Sequence, residues 1–140
     1  MQLQAVELWE SGLKAIEDHT FHGLTKLTIL DVMDCHVNSP ITNFTFDGLK
    51  SVQTIDLSLS NISTMEVGAL DGLHNQQTLR LCDNPLKTLN ALLFARETVP
   101  SISEIFLWEK HLDMRLQTEM AKTDAGIKLC NTRPTSNDLC

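Results

Sequence analysis

The sequence predicts an α/β solenoid. A curved parallel sheet forms the concave face, the convex side is irregular or briefly helical, and a short helix covers the C-terminal end. Three observations carry this expectation. An apolar beat returns about every 24–26 residues, with starts at Leu3, Leu27, Val52, Gln76 and Ile102. The tripeptides His22-Gly23-Leu24, Asp47-Gly48-Leu49 and Asp71-Gly72-Leu73 recur at one phase of that beat. The stretch 76–89 reads as one complete coil: Leu79 and Leu81 at strand spacing, Asn84 at the turn, then Leu86 and Leu89 on a return leg.

The coils follow in order. The first places Leu3, Val6 and Leu8 on the strand, Ser11 at the turn, then Leu13, Ile16, Phe21 and Leu24. The second repeats this with Leu27, Leu30, Val32, Cys35, Val37, Ile41, Phe46 and Leu49, and carries one extra residue near Ser39. The third runs Val52, Ile55, Leu57, Ser60, Ile62, Met65, Leu70 and Leu73. The fourth opens on a misfit, Gln76, and closes on Phe94. The fifth has Ile102, Ile105, Leu107, Lys110 and Leu112, after which the beat stops. Residues 1–112 are thus read as about five leucine-rich coils and 113–140 as a capping segment. A repeat of this length falls in the leucine-rich range of roughly 20–29 residues.

Stacked strands send alternate side chains into the core. The turn after each strand then buries backbone N–H and C=O groups that need partners. An asparagine amide offers both a donor and an acceptor. Only Asn84 is that residue here; Ser11, Cys35 and Ser60 are smaller stand-ins, and Lys110 is unsuited to burial. Modest stability is expected, and the last coil is read as turning into its cover. Leu112, Leu116 and Met120, four apart, place a short helix over 112–121.

The 140 residues fit one domain. A formal charge of −7 argues against nucleic acid, which needs clustered Lys and Arg. It argues equally against anionic membrane surfaces and favours a basic or mixed protein partner. No apolar run approaches the roughly 18–20 residues of a membrane span, so no direct membrane insertion is expected. Residues 1–8 lack a basic region and an apolar signal core, which leaves a mature form, a fragment or an intracellular protein open.

The segment Ile16-Glu-Asp-His-Thr-Phe21-His-Gly-Leu24, followed by Leu27-x-x-Leu30-x-Val32, resembles the typical repeat of the extracellular leucine-rich repeat proteins of animals, among them Toll-like receptors and Slit-like proteins. The resemblance covers about residues 3–112. It implies a curved solenoid that holds ligands, usually proteins, on its surface, and functions differ widely among such folds. Two departures stand out. No cysteine-bearing cap precedes Leu3, so the N-terminal edge is expected to need another protein surface, a missing segment of a longer solenoid or a dimer mate. The tail lacks a closely paired cysteine motif, although Gly126-Ile-Lys-Leu-Cys130-Asn-Thr-Arg-Pro134 resembles the second half of such a cap.

The concave face is the leading candidate for binding. Its outward positions hold eight acids (Glu7, Glu10, Asp31, Asp34, Asp56, Asp83, Glu104, Glu109) and one base, Arg80. Trp9, Met33, Phe106 and Trp108 add apolar anchors. Acids around exposed aromatics suit a basic partner, because charge steers while aromatics supply affinity. The partner-binding set is Glu7, Trp9, Asp31, Met33, Asp56, Arg80, Phe106 and Trp108. Reversing the charge of Asp31 and Asp56 together is expected to weaken binding and spare folding. The plain alternative is a solvated acidic face.

Cys35 is read as a reduced packing residue and Cys82 as a free thiol on the concave side. Cys130 and Cys140 share a loop-rich tail and are the pair expected to bridge; four cysteines allow three pairings, and spacing does not choose. No C-x-x-C or H-x-x-x-H supports a metal site, and His19 and His22 are read as exposed polar residues. Asn43-Phe-Thr45 and Asn61-Ile-Ser63 are glycosylation sequons off the core positions. No nucleotide loop, G-x-S-x-G or H-E-x-x-H occurs, so neither enzyme nor cofactor is expected. The chain reads as an extracellular protein-binding module of the receptor, secreted immune or adhesion kind. An intracellular scaffold or regulatory subunit is the alternative, and free-thiol content separates the two.

Overall fold

A computed structural model describes residues 2–95 and 97–108 in full and the backbone of 128–130. Six three-residue strands form one parallel sheet in chain order: β1 Ala5–Glu7, β2 Ile29–Asp31, β3 Thr54–Asp56, β4 Thr78–Arg80, β5 Glu104–Phe106 and β6 Lys128–Cys130. The register is unbroken, so Val6, Leu30, Ile55, Leu79 and Ile105 lie in line across the sheet. Leu30, Ile55, Leu79 and Ile105 are each 0% exposed. Each such burial stabilises by about 1.5–3 kcal/mol, and this inward row is what holds the sheet to the rest of the coil. The fifth strand pairs onward with β6, inside the stretch expected to cap the stack. The expected helix over 112–121 and the Lys110 turn position lie outside the described residues.

Each strand leaves the sheet by the same route. Leu8, Val32, Leu57 and Leu81 donate their N–H to the last strand residue of the next coil, Asp31, Asp56, Arg80 and Phe106. Two residues later Glu10, Asp34, Leu59 and Asp83 donate to Met33, Ser58, Cys82 and Trp108. Those four donors all adopt left-handed backbone, with φ of 51°, 56°, 57° and 55°. A side chain there costs about 1–2 kcal/mol, and the repeated inter-coil bond is what it sustains.

The turn row that follows is a hydrogen-bonded ladder. Asn84, 1% exposed, accepts from Ser60 N (3.1 Å) and Ile62 N (3.0 Å) through Oδ1. Its Nδ2 donates to Leu57 O (2.8 Å) and Leu81 O (3.0 Å). One amide therefore ties the third coil to the fourth. Ser60 does the same with less: its hydroxyl donates to Val32 O and accepts from Cys35 N. Cys35 is buried and reduced, as read from the sequence, and its thiol reaches Leu8 O at 3.0 Å. The stand-ins span the gap between coils with fewer bonds than an asparagine makes.

The return legs pack behind the sheet. Phe21 and Phe46 stack at 6.4 Å between centroids, and Phe94 is fully buried at the matching phase of the fourth coil. A 3-10 turn, Ala91–Phe94, is capped by Asn90, whose Oδ1 accepts from Leu92 N at 2.9 Å. The extra residue of the second coil is taken up near Ser39, whose hydroxyl accepts from Ile16 N. Gly48 explains the recurring Gly-Leu: its φ is +93°, and a Cβ there would lie 3.0 Å from the His22 backbone. The misfit Gln76 occupies a core position at 0% exposure, and neither polar atom of its side-chain amide finds a hydrogen-bond partner among the described residues.

Candidate functional site

The strand residues that alternate with the core row point to the outer face of the sheet. Glu7, Asp31, Asp56, Arg80 and Phe106 are register partners, one from each of β1 to β5, and form a single rung. The row two residues further on, past the strand ends, holds Trp9, Met33, Ser58, Cys82 and Trp108, the last four of which accept the N–H of Glu10, Asp34, Leu59 and Asp83. The strand register aligns five of the eight sequence-selected residues, and Trp9, Met33 and Trp108 follow in the row just beyond it.

Their environments differ. Trp9 is 52% exposed and Glu7 is open to solvent, while Asp31, Met33, Arg80, Phe106 and Trp108 are half-buried. Asp56 is 8% exposed. Burial raises its pKa above the ordinary carboxylate value; the Ser58 backbone N–H and Arg80 oppose that rise, and the neighbouring Asp31 charge adds to it. At the other end of the rung, the Arg80 guanidinium lies 5.3 Å from the Phe106 ring centroid, in cation–π range.

Two expectations need correcting. Cys82 is 1% exposed and disulfide-bonded, not a free thiol on the open face. The residue after the Leu81 strand position sits where the chain has begun to turn inward, as Ser58 does at 1%. Asp31 and Asp56 are also not free surface charges. Each accepts the backbone N–H two residues on, Met33 and Ser58, at 2.9 Å. These Asx turns shape the exit from the strand, so reversing both charges damages the turns as well as any contact. The signal was present in the sequence as an aspartate closing β2 and β3. The expected Cys130–Cys140 bridge lies outside the described side chains.

The face also carries residues the selection passed over. Ile29, 43% exposed, extends the apolar surface beside Asp31, and Leu59, 49% exposed, stands at a left-handed position between Asp34 and Asp83. From the first coil to the third, no outward position holds a base. Arg80 is the one base of the outward set, and it stands with Phe106 at the far end, where Asp83 and Glu104 keep the surface acidic as well.

Elsewhere the chain offers little chemistry. A shallow cleft of about 240 Å³ between Leu3 and Lys26 has no cluster of titratable groups. His19 and His22 are exposed, as expected, and both reach Asp47 Oδ2 on the next coil, at 2.9 and 3.3 Å. These bonds lower the Asp47 pKa. Among the described residues, no group of three His, Cys, Asp or Glu is arranged to hold a metal. No helix among them is long and apolar enough to cross a membrane.

No protein-family model matches the chain, and no curated protein matches its sequence. Solved structures do match. One is the structure of the Toll–Spatzle complex, described as a molecular hub in Drosophila development and innate immunity. The two chains superpose with a TM-score of 0.69 at 23% identity, over 81% of this chain and 15% of that one. At that identity the likeness shows the fold: a leucine-rich repeat solenoid. This chain spans about 15% of the length of its structural neighbour.

Proposed function

We propose that this chain is a protein-recognition module that engages a cationic segment of a partner on the outer face of its sheet. One observation carries the reading. Glu7 and Asp31 align strand to strand beside Trp9 and Met33, with Glu10 and Asp34 exposed just beyond them and no base among the outward positions of the first three coils. Such a surface attracts Lys and Arg over distance and offers apolar anchors once they arrive. Arg80 and Phe106 mark the far end, where an aromatic partner group fits beside their cation–π pair.

The same reading places the module outside the cell, in a receptor ectodomain or a secreted protein of the immune or adhesion kind. The Cys82 disulfide supports an oxidising compartment over the cytoplasmic scaffold alternative. The solenoid neighbour, solved as a complex, supports a protein partner. Self-association through the first coil is a lesser part of the proposal. It rests on Val6, Leu8, Leu13 and Leu24, which are only partly buried while their second-coil counterparts are covered.

A lysine-rich peptide containing tryptophan is the direct probe, titrated by calorimetry at low and at physiological salt. Binding that weakens with salt, and is lost in the Glu7→Lys, Glu10→Lys variant, is the expected result. Neither of those side chains makes a hydrogen bond among the described residues, so folding is spared. Equal affinity for a glutamate-rich peptide of the same length refutes the proposal.

A further inference from the structure

We propose that Asn43 carries an N-linked oligosaccharide whose first sugar packs on the ring of Phe44, and that Asn61 is the lesser acceptor. The inference rests on the secretory location proposed above, and its test separates the two. It starts from an exposed apolar pair on the side of the coil away from the sheet. Phe44 and Val67 are each 47% exposed, and Asn43, next to Phe44 in the chain, lies against Glu66 and Gly68 of the following coil. The Ile41–Met65 bridge sets the register of the second and third coils there. The fit is close enough that a Cβ on Gly68 would stand 3.1 Å from Asn43 Cβ.

The local bonding leaves the Asn43 amide available. Its backbone N–H is held by Glu66 Oε2 at 3.3 Å, and no hydrogen bond to its side chain occurs among the described residues. The His19 ring packs on Phe44 at 5.3 Å between centroids, tilted by 38°, and Phe44 remains 47% exposed. Sugar rings present C–H faces that lie well on such an aromatic surface, and the contact removes apolar area from water. Asn61 differs on each count. Its Nδ2 donates to Asn38 Oδ1 at 2.7 Å, its φ is +58°, and its sequon ends in Ser63 rather than a threonine.

The chemistry needs a lipid-linked oligosaccharide pyrophosphate as donor. The bond between Asn43 Nδ2 and the anomeric carbon forms as the anomeric carbon–pyrophosphate bond breaks. Nδ2 gives up a proton and the lipid pyrophosphate leaves. Thr45, the third residue of the sequon, is 0% exposed, and its Oγ1 accepts from Thr42 N at 2.8 Å. Transfer therefore precedes closure of this coil. The attached glycan would cover the side opposite the sheet and leave the acidic rung as the open protein-binding surface.

The test is expression of the full chain behind a secretory signal in eukaryotic cells, which supplies the compartment whatever the native location. An endoglycosidase-sensitive mobility shift is expected that survives Asn61→Gln and is lost or halved in Asn43→Gln. No shift at all, or a shift removed entirely by Asn61→Gln, overturns Asn43 as the acceptor. Removing the glycan from folded protein is expected to lower Tm by about 3 °C. In Phe44→Ala the mobility shift remains and that Tm difference disappears. An undiminished difference in Phe44→Ala overturns the packing. Glycan analysis of protein from its native source then tests the location by itself.

Discussion

Replacing Asn84 with alanine removes the most heavily bonded side chain of the turn ladder. Besides a long bond to Cys82 C=O at 3.4 Å, the amide serves four backbone groups at 2.8–3.1 Å: Ser60 N–H, Ile62 N–H, Leu57 C=O and Leu81 C=O. All belong to buried residues, so water does not replace the lost partner without opening the coil. At about 1 kcal/mol per orphaned group, the low end of the usual range, the loss is about 4 kcal/mol. Against a total of about 5–15 kcal/mol that is a large fraction. With a urea m-value of about 2 kcal/mol/M, the unfolding midpoint falls by about 2 M. Asn84→Ser serves as the internal control, since Ser60 shows that a hydroxyl in this row keeps some of the bonds. Its midpoint should fall between the other two. A loss below about 1 kcal/mol for Asn84→Ala, with m unchanged, would refute the reasoning that this amide locks adjacent coils.

Gln76→Leu should stabilise the chain by about 1–3 kcal/mol, read as a higher urea midpoint, because it removes a buried amide that has no partner. Gly48→Ala should cost about 2 kcal/mol by the same assay, from left-handed backbone and the close approach of His22; a neutral result would mean the coils separate freely there. Asp56 has a raised folded pKa, so the folded state takes up its proton first as pH falls. Stability relative to Asp56→Asn, which retains an acceptor for Ser58 N, should therefore rise as pH drops through that folded value. The gain is complete below the ordinary value near 3.8 and absent at neutral pH. Chemical denaturation of both proteins across this range measures it, and a difference that stays flat would contradict the burial argument.

The solenoid was legible in the sequence because its cause is local and repeated. A leucine at Leu79 and another at Leu81 say little, but the same spacing at Val6, Leu30, Ile55 and Ile105 can be satisfied together only by strands stacked in register. The eight outward residues followed from the same arithmetic, since alternation on a strand assigns faces without reference to a neighbour. What the sequence could not decide lies between coils, about two dozen residues apart. Asp56 is an acid like Glu7 in composition. Only the coils on either side bury one and leave the other in water. Cys82 has the register of an outward residue, yet the turn carries it inward to a disulfide. Gln76 breaks the beat and is buried regardless, because Val52 and Ile102 on either side of it leave no other place for the chain to run. Period is a property each coil carries in its own residues; burial, bonding partners and proton affinity arise only when the next coil is laid against it.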